Sequence, residues 1–179
     1  MRALVVFASR YGSTRGIAEF IAEKLRQRGV QADARGVDEV PDHASYHALV
    51  VGSAVYMGHW MEEAAEFVRR NRTLLAERPV WLFSSGPLKL EPPITSVDDP
   101  TLEPKEIGEL TEAIHPRGHK VFLGALDPGK LGFKHRAVRR LPAGRALMPE
   151  GDFRDWSAIE AWAADIAQTL RTPPMAVSA

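Results

Sequence analysis

The stretch that decides the fold is VVFASRYGSTRGIAEFIAEKL, residues Val5–Leu25. An apolar run of strand length stops at Ser9, passes a glycine and several hydroxyl side chains, and continues with apolar residues at helical spacing. A helix N-terminus leaves backbone N–H groups unpaired and carries partial positive charge, so this elbow (residues 9–14) predicts an anion site. A phosphate at Gly12–Thr14 could accept those N–H groups together with the hydroxyls of Ser9, Ser13 and Thr14.

Two familiar phosphate-binding motifs do not fit the elbow. A Walker loop requires G-x-x-x-x-G-K-[ST], whereas Gly12 is followed by Gly16 and then Ile17. A dinucleotide fingerprint requires three glycines in G-x-G-x-x-G, and this stretch offers Gly12 and Gly16 alone. An ordinary helix cap by Ser13 or Thr14 is the alternative to phosphate binding.

The amino-acid composition limits the classes of protein to which the chain can belong. The chain has 179 residues, 45% of them hydrophobic and 26% charged, which is typical of one globular domain with a substantial core. Lys and Arg total 23, as do Asp and Glu, so the overall charge favours no nucleic-acid partner. The chain has no cysteine, which excludes disulfides, thiolate metal sites and dithiol redox chemistry. We predict no metal site.

Apolar runs alternate with helical patterns along the chain. Continuous runs are typical of strands covered on both faces of a parallel sheet. They occur at Ala3–Ala8, Ala48–Val51, Val80–Phe83, Val121–Leu123 and, more weakly, Val30–Val37. Helical patterns lie at Ile17–Leu25, Met61–Leu75, Pro104–Ile114 and Asp155–Leu170. The alternation predicts one α/β domain over residues 1–172, a doubly wound sheet of five parallel strands, and a flexible tail at 173–179.

Residues 127–152, here named the basic excursion, depart from this alternation. The interval is rich in Gly and Pro and contains no acidic residue between Asp127 and Glu150. Its basic residues are Lys130, Lys134, Arg136, Arg139, Arg140 and Arg145. We predict that the excursion lies around the last strand and contains a short helix at Phe133–Leu141.

The elbow sequence S-R-Y-G-S-T resembles the FMN phosphate loop of flavodoxin-like proteins. In that family the loop surrounds the phosphate with hydroxyls and backbone N–H groups and generally uses no basic side chain. The resemblance implies a flavodoxin-like fold with strand order 2-1-3-4-5 and a bound FMN. The implied contacts in the elbow are Ser9, Arg10, Tyr11, Gly12, Ser13 and Thr14.

Two further loops are predicted to hold the flavin ring, because doubly wound domains bind ligands beyond the carboxyl ends of their strands. The loop after the third strand contains Ser53, Ala54, Val55, Tyr56, Met57, Gly58, His59 and Trp60. The loop after the fourth strand contains Ser84, Ser85, Gly86 and Pro87. Aromatic rings could stack on the flavin, although core packing and an ordinary turn are the alternatives. His59 is the candidate for proton transfer, since histidine exchanges protons near neutral pH.

The order of several motifs resembles the bacterial quinone-linked protoporphyrinogen IX dehydrogenases. These motifs are Gly58-His59, Gly124-Ala125-Leu126 after the last strand, the basic excursion, and Asp155-Trp156 at the start of the final helix. The resemblance implies an FMN oxidoreductase that passes electrons from a reduced porphyrin precursor to a quinone. Contacts with an anionic substrate or membrane surface are then predicted for Lys134, Arg136, Arg139 and Arg140, with a solvated loop as the alternative.

Other functions stay open from the sequence. A flavodoxin-like electron carrier would use a redox partner protein in place of a small-molecule substrate, and the segment DDPTLEPKE at residues 98–106 offers an acidic docking patch. A scaffold without cofactor is a third reading, and a homodimer is also open. The apolar start is too short for a signal peptide or membrane span, so we expect a cytoplasmic protein, with peripheral contact at the inner membrane face.

Overall fold

Five parallel strands form the centre of the structure, a computed structural model that describes residues 1–40 and 43–172 without the side chains of 134, 146 and 147. The main sheet contains β1 (Arg2–Ala8), β2 (Gln31–Gly36), β3 (Ala48–Tyr56), β4 (His59–Trp60), β5 (Val80–Ser85) and β6 (His119–Phe122). The short β4 pairs antiparallel with β3, and the others follow the order β2-β1-β3-β5-β6. The parallel strands alone therefore have the predicted order 2-1-3-4-5, which confirms the fold class.

Helices connect these strands and differ in two places from the sequence prediction. They are α1 (Ser13–Gln27), α2 (Glu62–Arg70), α3 (Arg72–Ala76), α4 (Glu106–Ile114), α5 (Phe133–Val138), α6 (Pro142–Leu147) and α7 (Trp156–Arg171). The predicted helix Met61–Leu75 is broken at Asn71, whose side-chain amide donates to the Phe67 carbonyl at 2.8 Å and competes with the helical backbone. The predicted helix Phe133–Leu141 stops at Val138, and α6 begins at Pro142.

Both faces of the sheet are covered, which explains the continuous apolar runs. Successive side chains of a strand point to opposite faces. In β1, Ala3, Val5 and Phe7 pack with α1 and α7, whereas Leu4 and Val6 pack with α2 and α4 on the other face. A strand in this position has no solvent-facing side and therefore lacks polar alternation.

The basic excursion follows β6, the last strand of the main sheet. After β6 the chain forms β7 (Ala125–Leu126), runs through α5 and α6, and returns as β8 (Gly151–Asp152). Strands β7 and β8 pair antiparallel, so they close the excursion at its base just before α7. Two-residue strands carry too little apolar pattern to be found from sequence.

Close packing in the middle of the sheet depends on the absence of a side chain at Gly52. This residue of β3 lies beside Phe83 of β5, and both are buried. A Cβ atom at Gly52 would lie 2.0 Å from two atoms of the Phe83 ring, far inside van der Waals contact. The ring occupies the space that any other residue at position 52 would need.

We expect Gly52→Ala to lower the free energy of unfolding by about 1–3 kcal/mol, because the Phe83 ring must leave its packed position. The matched control is Gly108→Ala in α4, where a Cβ would meet nothing within 4 Å. That exposed helical position should gain about 0.5–1 kcal/mol. Urea denaturation of both variants measures the difference, and a Gly52→Ala protein as stable as the native chain would contradict this packing.

Candidate functional site

The elbow folds as a tight loop between β1 and α1. Gly12 has φ of 88°, a left-handed conformation that glycine adopts without strain. Its carbonyl accepts a hydrogen bond from the Gly16 N–H at 3.0 Å, and its own N–H donates to the Ser9 hydroxyl at 3.1 Å. The Ser9 hydroxyl thus fixes the loop while its proton stays available for donation.

Thr14 gives the strongest indication of an anion at the elbow. The residue is fully buried in the first turn of α1, and its Oγ1 has no hydrogen-bond partner within the described chain. An unpaired buried hydroxyl costs about 1–3 kcal/mol, so a partner is expected. A phosphate oxygen would accept from this hydroxyl and from the free N–H groups that begin α1. The donor set therefore fits the phosphate of FMN.

Ser13 joins the elbow to two other segments. Its Oγ accepts a hydrogen bond from the Ala125 N–H of β7 at 2.8 Å and lies 3.4 Å from Ser85 Oγ at the end of β5. Its carbonyl accepts from Arg154 Nη1 at 3.2 Å, and Arg154 also forms an ion pair with Asp152 at 2.6 Å. These contacts hold the start of α1, the end of β5 and the base of the excursion together.

A cavity of about 360 Å³ lies where these segments meet. This volume lies within the range of small-molecule sites, about 300–1,000 Å³. Its walls come from the elbow, the ends of β3 and β5, and the excursion with its base. They are formed by Ser9, Tyr11, Ser13, Thr14, Ala54, Val55, Tyr56, Met57, Ser85, Gly86, Pro87, Leu88, Gly124, Ala125, Leu126, Leu131, His135 and Met148. The cavity thus brings together the three loops that the sequence predicts to hold the cofactor.

The end of β3 forms one rim of the cavity. Met57 and Gly58, with φ of 54° and 78°, form the two-residue turn between β3 and β4, a geometry typical of a tight hairpin. The Met57 side chain is 98% exposed at the tip of this turn. The Arg10 guanidinium lies 5.3 Å from the centre of the Tyr56 ring. Burial raises the pKa of Tyr56, so its phenol stays protonated at neutral pH.

Ser84 and Trp60, two predicted contacts, belong to a buried hydrogen-bond network outside the cavity walls. Trp60 Nε1 donates to Ser84 Oγ at 2.7 Å, and Ser84 Oγ lies 2.7 Å from His119 Nε2. Burial lowers the pKa of His119 to about 4, so the ring is neutral and accepts the Ser84 proton. The network therefore joins β4, β5 and β6.

Ser53 and His59 likewise support the loop after β3 and do not line the cavity. Ser53 Oγ accepts from the Met61 N–H at 2.9 Å. His59 Nδ1 lies 2.7 Å from Glu106 Oε1, and Glu106 Oε2 accepts from the Trp60 N–H at 2.9 Å. Burial alone would raise the pKa of Glu106, but the hydrogen bonds from Trp60 and His59 outweigh it and lower that pKa. The role of His59 in proton transfer stays a prediction, and His59 does not line the cavity.

The basic excursion supplies cavity residues that sequence reasoning missed. Leu131, His135 and Met148 line the cavity, and the Tyr11 hydroxyl lies 2.5 Å from His135 Nδ1. Lys130 Nζ lies 3.9 Å from the position of a Cβ on Gly12, so it adds a cation beside the elbow. No local pattern joins Tyr11 to a residue 124 positions away, and only the fold reveals the contact.

The predicted anion-contacting arginines have different surroundings. Arg136 donates to the Leu131 carbonyl at 2.8 Å within the excursion. The Arg139 side chain is 16% exposed and pairs with Glu150 at 3.5 Å. Arg140 is exposed to solvent, whereas the side chain of Lys134 lies outside the described part. Arg140 is thus the arginine of this set best placed to meet an external anion.

The fold and the site define a flavodoxin-like protein that binds FMN. A family model described as Flavodoxin domain matches residues 4–143, and the chain belongs to that family. Over 182 residues the chain is 25% identical to protoporphyrinogen IX dehydrogenase [quinone] of Escherichia coli K12, covering 98% of this chain and 99% of that protein. The family assignment confirms the predicted cofactor.

Solved structures support the same fold. A flavodoxin from the domain Archaea has a TM-score of 0.59 at 17% identity, covering 96% of this chain and all of that one (100%). The rubredoxin oxygen:oxidoreductase of Desulfovibrio gigas has a TM-score of 0.60 at 14% identity, covering 95% of this chain and 36% of that one. Identities this low establish a shared architecture alone.

We expect Thr14→Val to weaken FMN binding about ten-fold or more, because a hydrogen bond to a charged group contributes about 1.5–3 kcal/mol. The same change should leave the FMN-free protein equally or more stable, since it removes an unpaired buried hydroxyl. Quenching of FMN fluorescence and urea denaturation measure the two effects. Thr14→Asp places a negative charge against the phosphate and should bind FMN more weakly still. Native affinity in both variants would refute the elbow as the phosphate site.

Proposed function

We propose that the chain is an FMN-dependent oxidoreductase of the protoporphyrinogen IX dehydrogenase type, which passes two electrons from a reduced porphyrin-like donor to a quinone. The observation that carries the proposal is the similarity over nearly the whole length of both chains to a protein of that name. This similarity includes the excursion, whose Leu131, His135 and Met148 side chains form part of the cavity wall. A small molecule could therefore approach the cofactor along this wall.

Different residues of the chain would bind the cofactor and shape the cavity of such an enzyme. Bound FMN supplies the two-electron chemistry. The Ser9 and Thr14 hydroxyls and the N–H groups of α1 would hold its phosphate, and the residues at the ends of β3 and β5 would border its ring. The cavity wall is largely apolar, with Ala54, Val55 and Pro87 among its residues, and this lining limits the access of water.

The alternative function is an electron carrier that docks on a protein partner. Its candidate docking patch, residues 98–106, has acidic groups that are engaged locally. Asp98 pairs with Lys120 at 2.5 Å, Asp99 caps the Thr101 N–H at 2.9 Å, and Glu106 binds His59. The formal net charge of the chain is also zero. These features favour the enzyme over the carrier.

We expect the FMN-loaded protein to oxidise protoporphyrinogen IX through many turnovers under anaerobic conditions when menadione is the acceptor. Porphyrin fluorescence measures the product. The Thr14→Asp variant is the matched control, because its rate should fall with its FMN content. A protein that exchanges single electrons with a reductase, yet oxidises no porphyrinogen above this control, would be a carrier.

The outer surface of the excursion combines apolar and basic side chains. Phe133, Val138 and Leu141 are 84%, 45% and 63% exposed, and the exposed Arg140 lies in the same segment. Apolar side chains next to cations are typical of segments that lie in a membrane interface. No helix in residues 1–40 or 43–172 has the length and apolar character to cross a membrane. We propose that this face contacts an anionic bilayer, the phase in which quinones dissolve.

We expect the native protein to sediment with vesicles of phosphatidylglycerol and phosphatidylcholine in equal parts at low salt. Replacing Phe133 and Leu141 by Ser should weaken binding about ten-fold or more, since each buried side chain contributes about 1.5–3 kcal/mol. Arg140→Gln should weaken it less, by about 1 kcal/mol, and Arg72→Gln on α3 is the charge-matched control. Vesicle binding that none of these changes affects would refute the proposal. If the molecular mass measured without vesicles doubles as the protein concentration rises, the face belongs to a homodimer interface.

A further inference from the structure

His135 is the histidine among the cavity-lining residues. The other side chains with an acidic proton along its walls are Tyr11 and Tyr56, and its described walls contain no carboxylate. Histidine exchanges protons near neutral pH, whereas tyrosine keeps its proton there. His59, which the sequence suggested for this task, is engaged with Glu106 and does not line the cavity.

The Tyr11 hydroxyl holds the His135 ring by one nitrogen. Tyr11 Oη lies 2.5 Å from His135 Nδ1, and the two rings meet edge to face with centres 5.7 Å apart. Within the described residues His135 Nε2 has no hydrogen-bond partner. A base whose second nitrogen is fixed by a neighbouring side chain is the usual arrangement of an oriented general base. In the tautomer that carries its proton on Nδ1, that N–H donates to the Tyr11 hydroxyl, and the Nε2 lone pair is free to accept a proton.

Charged groups of both signs lie in the segments that meet at the cavity. The acidic groups are engaged locally: Asp127 accepts from the Gly129 N–H, Glu150 pairs with Arg139, and Asp152 pairs with Arg154. Arg10 lies on the elbow over the Tyr56 ring, Lys130 lies beside Gly12, and Arg136 follows His135 on α5.

We propose that His135 is the proton acceptor and donor of the redox reaction and that Tyr11 positions it; the inference rests on the proposed function. The donor loses two electrons and two hydrogens, one as a hydride equivalent to FMN and one as a proton to His135 Nε2. In the second half-reaction a quinone takes the hydride equivalent from the reduced cofactor and the proton from His135. The quinol leaves, and both His135 and FMN return to their starting state.

The test compares His135→Gln and Tyr11→Phe with the native full-length protein, each loaded with FMN. Glutamine keeps a polar group beside Tyr11 but cannot carry the proton. Two rates are followed over about pH 5.5 to 9, reduction by protoporphyrinogen IX and reoxidation of the photoreduced protein by menadione. The matched control is His47→Gln, an exposed histidine at the opposite edge of the sheet, just before β3.

We expect His135→Gln to slow the proton-coupled rates about 100-fold and to flatten their pH profile, with FMN affinity unchanged. Tyr11→Phe should slow them up to about ten-fold and shift the proton titration of His135 seen by NMR in the FMN-free protein. His47→Gln should match the native protein. If porphyrinogen is not oxidised but menadione reoxidation still depends on His135, the proposed donor fails and this inference stands.

Native rates and pH profile in His135→Gln would overturn the inference. Lost FMN affinity with an unaltered pH profile would also overturn it, since Tyr11 and His135 would then only tie the excursion to the elbow. The NMR titration needs no variant at His135. A native His135 that does not titrate between about pH 5 and 8 would be equally fatal to the proposal.

Discussion

The unpaired hydrogen-bond donors at the start of α1 are the constraint on which the functional part of the structure depends. A helix that begins at the carboxyl edge of a parallel sheet leaves N–H groups that need an acceptor. Here the buried Thr14 hydroxyl adds one more donor without a partner in the described chain. Ser13 then ties this helix start to β5 and β7, so the phosphate site and the cavity walls are held by the same turn.

Much of the fold follows from patterns that are local in sequence. Continuous apolar runs such as Ala3–Ala8 indicate strands with two covered faces, and helical stripes between them imply a doubly wound sheet. The elbow is local too, because its turn, hydroxyls and helix start occupy residues 9–14. These features can be predicted because each depends on residues that are close together in the sequence.

The rest of the site depends on contacts between distant segments. Ser84 and Trp60 look like loop donors in sequence, yet Trp60 donates to Ser84, and Ser84 contacts the partly buried His119, which no local pattern indicates. His135 reaches Tyr11 only because β7 and β8 close the excursion over the elbow. Tertiary packing decides which distant residues meet. The sequence therefore reveals that the excursion is basic, but it does not reveal that the excursion forms part of the cavity wall.

A visible absorption spectrum tests most directly whether this elbow holds FMN. The purified protein is incubated with excess FMN, desalted and scanned. We predict a retained flavin spectrum in the native protein and its loss in Thr14→Asp. A colourless native protein would contradict the account, and the hydroxyl-rich elbow would then be a capped helix or a site for another phosphate.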